Sequence, residues 1–303
     1  MELRVLRYFL AVAREETISG AAEALHVTQP TLSRQMMELE EEVGKTLFLR
    51  GKRKITLTEE GMFLRKRAQE IVSLVEKTEA EFNAAESPVS GDVYIGGGET
   101  EAMRFIARAA HGLQAVHPHI AYHLFSGNAA DVRERLDRGL VDFGVFIGQT
   151  DLSKYDFIRL PVTDTWGVLM RKDSPLAARA AIRPEDLIGL PVLHSTQALR
   201  ENELAGWMRG LYDKLHIVST YNLIYNASLM VEEGLGYALA LSGLIRTSGD
   251  SPLCFRPLDP PVTVGIHMVW KKYQIFSKAA ETFLEHMQRE ITGAAEENAN
   301  PRS

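Results

Sequence analysis

Residues 25–44 read LHVTQPTLSRQMMELEEEVG. Thr28 is placed to cap a helix, since its hydroxyl can accept from first-turn amides that have no helical partner, and Pro30 stands early enough to cost no helical hydrogen bond. Leu32, Met36, Leu39 and Val43 follow at steps of four, three and four, which predicts a core-facing stripe. Gln29, Thr31, Ser33 and Arg34 are then left on the opposite side, near the helix N-terminus. The acidic run from Glu38 to Glu42 falls at the far end, clear of any phosphate the first turns meet. Upstream, residues 2–13 read as an amphipathic helix with Leu6, Phe9, Leu10 and Ala13 on one face, and residues 17–25 as a second short helix with Ala21, Ala22 and Leu25 turned inward. His26 and Val27 make a tight connection. Two helices joined by a tight turn, the second with a polar N-terminal face, form a helix-turn-helix whose second helix enters the major groove.

The charge distribution agrees. The chain carries a formal net charge of −6, which by itself argues against a nucleic-acid partner. Between Lys45 and Arg67, however, Lys45, Arg50, Lys52, Arg53, Lys54, Arg65, Lys66 and Arg67 face only Glu59 and Glu60, a local net of +6. A basic patch on an acidic body suits a modular protein with one anionic partner. Within it, RGKRKITLT (residues 50–58) reads as a basic turn followed by a short alternating strand. That predicts a two-stranded wing whose cations, Arg50 and Arg53 among them, contact phosphate.

Residues 59–85 form one long helical pattern. Leu64, Ala68, Ile71, Val75, Thr78 and Phe82 alternate in steps of four and three, the seam of a coiled coil, which predicts dimerisation through Leu64, Ala68, Ile71, Val75 and Phe82. Residues 87–91, SPVSG, read as a linker. Beyond it, short strands and helices alternate: strands at 93–95, 120–125, 141–147, 166–170, 191–194, 216–219, 237–241 and 264–270, and helices at 102–116, 128–138, 225–233 and 277–292, with a further unit at 199–215. The fold class is therefore α/β, with ligands expected outside the carboxyl ends of strands. Residues 294–303 are polar and read as a disordered tail. The single Cys254 rules out an intrachain disulfide, and no stretch approaches the length of a membrane span, so the cytoplasm is the expected compartment.

AAEALHVTQPTLSRQMMELEEEVGKTLFLR (residues 21–50) with LTEEG (57–61) closely resembles the N-terminal domain of LysR-type transcriptional regulators. GDVYIGGG (91–98), GLVDFGV (139–145) and VEEGLGYAL (231–239) are similar, more loosely, to the family's effector domain. The resemblance implies an N-terminal winged helix-turn-helix (1–58), a linker helix (59–87), and a pair of α/β subdomains resembling periplasmic binding proteins, 91–161 with 266–293 and 162–265. It further implies double-stranded promoter DNA and a small-molecule effector as ligands, a homodimer or homotetramer, and RNA polymerase as a partner, with no cofactor. Glu60 departs from the pattern, where the family often has alanine. It reads as a helix N-terminal charge favourable to the dipole.

For base and phosphate contacts the sequence offers Gln29, Pro30, Thr31, Ser33 and Arg34, with Arg34 suited to guanine and Gln29 to adenine. The same quartet of polar side chains would also serve as a solvated helix face. Residues 96–101, GGGETE, lack the glycine a dinucleotide fingerprint needs where Glu101 stands, and two carboxylates there would repel a pyrophosphate. They read instead as a loop facing a cleft, with the resemblance placing Thr100 at the effector. Glu99, Ser126, Asn128, Phe146, Ile147, Ser195, Thr196, Tyr225 and Asn226 stand at strand ends or helix starts and complete the expected effector site. An inward Glu99 would disfavour a simple anion and favour an amine or hydroxyls. His119 and His123 lack a carboxylate at ligand spacing, so no metal is expected. No nucleophile elbow or P-loop appears. The rival reading is a small-molecule sensor or solute-binding module without DNA function.

Overall fold

The computed structural model describes residues 1–51, 54–83, 89–148 and 151–299, without the side chains of residues 50, 80–83 and 294–299. The chain divides into two compact units, the first ending at Asn83. The first comprises α1 (Leu3–Glu15), α2 (Ile18–Ala24), α3 (Gln29–Val43), a hairpin of β1 (Phe48–Arg50) and β2 (Ile55–Leu57), and α4 (Glu59–Asn83). Thr17 caps α2 and Thr28 caps α3, each hydroxyl accepting an N–H from three residues on. Gly44, at φ 64°, ends α3 in the left-handed conformation that glycine tolerates best. Leu6, Phe9, Ala21, Leu32, Met36 and Leu39 form the core. Val43 does not join the stripe. It is 37% exposed and has no place in the core that Leu32, Met36 and Leu39 share.

Two polar contacts tie the wing to the helices. The Glu40 carboxylate accepts the N–H groups of Leu47 (2.7 Å) and Phe48 (3.1 Å), so the acidic run does structural work and does not merely stand clear of phosphate. Thr58 donates to the Thr46 carbonyl and accepts the Gly61 N–H, capping α4. A Cβ at Gly61 would collide with the Leu47 carbonyl, so this approach requires glycine. Glu59 and Glu60 sit in the first turn of α4, where the dipole favours them.

The expected coiled-coil seam needs correction. Leu64 and Ala68 are buried in the unit's own core together with Val72, because α4 lays that stripe against α1. They already have a partner. Ile71 is exposed, Val75 half-buried, and the Phe82 side chain lies outside the described residues. Among the described residues, the large apolar side chains that α4 leaves open are Met62, Phe63, Ile71 and Leu74.

The second unit opens with β3 (Gly91–Gly97), α5 (Met103–Val116), β4 (Ile120–Ser126), α6 (Ala129–Asp137) and β5 (Phe143–Ile147). The seventeen-residue strand β6 (Tyr155–Arg171) follows, then β7 (Pro191–Ser195), α7 (Thr196–Arg200), α8 (Ala205–Met208), β8 (His216–Tyr221), α9 (Ile224–Glu232), β9 (Tyr237–Leu241), β10 (Leu253–Pro257), β11 (Thr263–Lys271) and α10 (Lys278–Ala299). Strands β4, β3 and β5 are parallel, as are β8, β7 and β9, while β6, β10 and β11 run antiparallel to their neighbours. Two lobes result. One core holds Ile95, Ile106, Phe143, Phe283 and Met287, the other Trp166, Val192, Trp207 and Leu239.

Strands β6 and β11 run through both lobes, and their register breaks between Arg159↔His267 and Thr163↔Gly265. Pro161 lies inside that break, so the ladder never calls on the N–H it lacks. The region 199–215 is not one element. Positive φ at Asn202, Arg209 and Gly210 divides it into α7, α8 and a 3-10 turn at Tyr212–Lys214. Nor is the tail disordered from 294: its alanines and glutamates extend α10 to Ala299, and residues 300–303 lie outside the described residues. Among the described residues no helix is long and apolar enough to cross a membrane.

Candidate functional site

On α3 the cap and the buried stripe turn Gln29, Pro30, Thr31 and Arg34 outward, with Ser33 half-buried at the margin. Thr31 and Thr28 share a hydroxyl hydrogen bond of 2.8 Å. Arg34 Nε donates to Glu38 at 2.7 Å, and Gln35 donates to the other oxygen of the same carboxylate. Glu38 thus holds two donors of the exposed face, a role that its i,i+4 spacing from Arg34 could have signalled. Arg50 ends β1, with its side chain outside the described residues, as is the whole of Arg53.

In the second unit a pocket of about 70 Å³ lies between the lobes. Gly98, Glu99, Asn128 and Ile147 line it from the first lobe, and Trp166, Ser195, Gln197, Glu203, Asn222 and Ile224 from the second. Two hydrogen bonds cross it in opposite senses. The Ile224 N–H, opening α9, donates to the Glu99 carboxylate, and the Ala129 N–H, opening α6, donates to Gln197 Oε1 at 3.0 Å. Each lobe therefore supplies a side-chain oxygen to a helix N-terminus of the other, where free amides and the helix dipole attract an acceptor. Burial, reinforced by Glu99, pushes the Tyr221 phenol up, and its hydroxyl donates to the Leu239 carbonyl. A neighbouring pocket of about 310 Å³ shares Gly98, Glu99 and Leu244 and adds Thr100, Met103, Leu124 and Ser126.

Of the effector residues expected from sequence, Glu99, Asn128, Ile147 and Ser195 line the first pocket, and Thr100 and Ser126 the second. Thr100 is 5% exposed and donates at 2.5 Å to Asp164 on β6, a carboxyl that burial pushes up, so its hydroxyl is already committed. Four residues fall elsewhere. Phe146 is buried against Tyr155 on the side of β5 packed by α6. Thr196 lines neither pocket, and Tyr225 and Asn226 point outward because Ile224 and Ala227 take the inner face of α9. Sequence reading missed Trp166, Gln197, Glu203 and Asn222. Gln197 and Asn222 follow parallel strands β7 and β8, where strand ends predict ligand contacts. Trp166 and Glu203 carried no local signal. His123 pairs with Asp92 at 2.8 Å and stacks on Tyr94.

A capped helix offering its polar first turns, followed in the chain by two lobes around a pocket, belongs to the ligand-responsive DNA-binding regulators. Residues 3–62 match the family described as bacterial regulatory helix-turn-helix protein, lysR family, and residues 86–292 the LysR substrate binding domain. The chain belongs to the LysR family of transcriptional regulators, with a DNA-binding helix-turn-helix and an effector-binding domain, and is not an enzyme. It is 27% identical over 297 residues to the uncharacterized HTH-type transcriptional regulator YvbU of Bacillus subtilis (strain 168), across 97% of this chain and 100% of that one. Against the Hca operon transcriptional activator HcaR of Escherichia coli (strain K12) it is 29% identical over 299 residues, across 96% and 98% respectively. The crystal structure of full-length CbnR complexed with its target DNA shares the fold, with a TM-score of 0.74 at 20% identity over 96% of this chain and 100% of that one.

Proposed function

We propose that Gln29, Thr31, Ser33 and Arg34 read operator DNA while Pro30 shapes the approach of α3 and Arg50 and Arg53 hold phosphate. The regulator works as a homodimer or homotetramer, pairing through the open side chains of α4, and meets RNA polymerase at the promoter in the cytoplasm. A small molecule entering between the lobes, 91–161 with 266–293 and 162–265, competes with the crossed caps and shifts the balance between two lobe arrangements by its difference in affinity for them. The observation that carries this reading is the pair of reciprocal hydrogen bonds, Glu99 with Ile224 and Gln197 with Ala129, spanning one pocket. The register break of β6 and β11 supplies a place for the lobes to bend. A footprint on the DNA upstream of the chain's own reading frame tests the first half: Arg34→Ala should lose the footprint at matched salt. Equal binding by wild type and variant refutes the assignment.

A further inference from the structure

The pocket between the lobes has an unbalanced charge. Glu99 and Glu203 bring two carboxylates to it, and among the described residues that line it there is no Lys, Arg or His. Glu99 is engaged by the Ile224 N–H. Glu203 is different: its Oε1 is buried and has no hydrogen-bond partner. Gly148, at φ 73°, makes the room, since a Cβ there would collide with that oxygen. The indole N–H of Trp166, a residue only 4% exposed, is likewise unpartnered and lines the same pocket. Burial pushes the Glu203 carboxyl up, and the Trp166 N–H, close by but short of hydrogen-bond geometry, offsets only part of that. Arg133 acts on Glu201 and Asp151, while the charge that acts on Glu203 is the like charge of Glu201, which pushes its carboxyl up further. Glu203 is half-buried as a residue, and a carboxylate whose inner oxygen is held out of water without a countercharge is costly unless something supplies one.

With that pocket taken as the effector site, we infer that the ligand supplies the countercharge: the cleft takes a small molecule with a protonated amine head, received by Glu203, on an apolar body. About 70 Å³ admits a compact head group and little more. The adjoining pocket of about 310 Å³, walled by Met103, Leu124 and Phe125, continues from it and accommodates the body. A carboxylate head would meet two like charges. A hydroxyl head could donate to Oε1 but would leave the charge uncompensated.

The test uses the full chain and two probes with the same ring and opposite charge, 2-phenylethylamine and phenylacetate. The amine should raise the melting temperature and the acid should not. Glu203→Gln, nearly isosteric, should weaken the amine by on the order of tenfold or more, since it replaces a charged acceptor by a neutral one. Unchanged amine affinity in Glu203→Gln overturns the role of that residue, and the absence of a shift with either probe counts against an amine ligand. Asn222→Trp, at the exposed rim of the pocket, separates the two levels of the claim. If the acid binds and Asn222→Trp abolishes its binding, the amine class falls while the cleft stands as the effector site. A shift from either probe that survives Asn222→Trp puts binding elsewhere, and the cleft reading itself falls.

Discussion

Arg34 is exposed and paired with Glu38 one turn further along α3. Exposed pairs of this kind add little to stability, because water screens them and two long side chains must be ordered. Arg34→Ala should therefore leave the melting temperature almost unchanged while operator affinity falls on the order of tenfold or more, a separation read by pairing calorimetry with gel shifts. Glu203 sets a second expectation. Burial raises its carboxyl above the unfolded value, so between the two values the folded chain holds more protons, and the contribution of this group to stability falls as pH rises through that window. Glu203→Gln should match wild type in melting temperature near the ordinary carboxylate range, at about pH 4, and exceed it towards about pH 7. A gap that widens instead on acidification would contradict the assignment. Residues such as Thr28 and Pro30 were legible because a cap and a first-turn proline act on their own neighbours in sequence. The role of Glu203 was not, because its surroundings are assembled from Gly148 and Trp166, far away along the chain.

Helix α3 reads DNA through one end and builds the wing with the other. Its residue Glu40 accepts two backbone N–H groups where the chain enters β1. Glu40→Ala leaves both without that acceptor, and a loss of about 1–3 kcal/mol is expected, measured by urea unfolding of the full chain followed through the first transition. An unchanged transition would mean that water replaces the carboxylate at no cost. The elements legible in sequence were those with a clean period and local punctuation: α1, α3, β3, α5 and the wing. The opening half of β6 was hidden because Pro161 argues against a strand, and only the offset partner β11 makes it harmless. Helix α4 was legible as a helix but misassigned in its contacts. A four-and-three repeat shows which side of a helix is apolar, not whether the partner lies in the same chain or another.

Over the whole molecule, the contacts of α4 separate folding from assembly. Leu74→Asp should give monomers in sedimentation at concentrations where wild type associates, with the first unit still folded, whereas Ala68→Asp should unfold it. Leu74→Asp that associates as wild type does would remove α4 from the interface. In the second unit, Glu99→Ala combined with Gln197→Ala removes both crossed caps, and hydrogen exchange at the Ile224 and Ala129 amides should quicken together. Unaltered protection would show that other contacts hold the lobes. The route of the chain has one more consequence. The first lobe begins at β3 but is completed only by Ala279, Ala280, Phe283 and Met287 of α10. A ribosome therefore finishes the DNA-gripping unit, with its own core, long before the wall that closes the sensor has been synthesised. A premature stop after β10 would release a protein still equipped to sit on an operator and deaf to its signal.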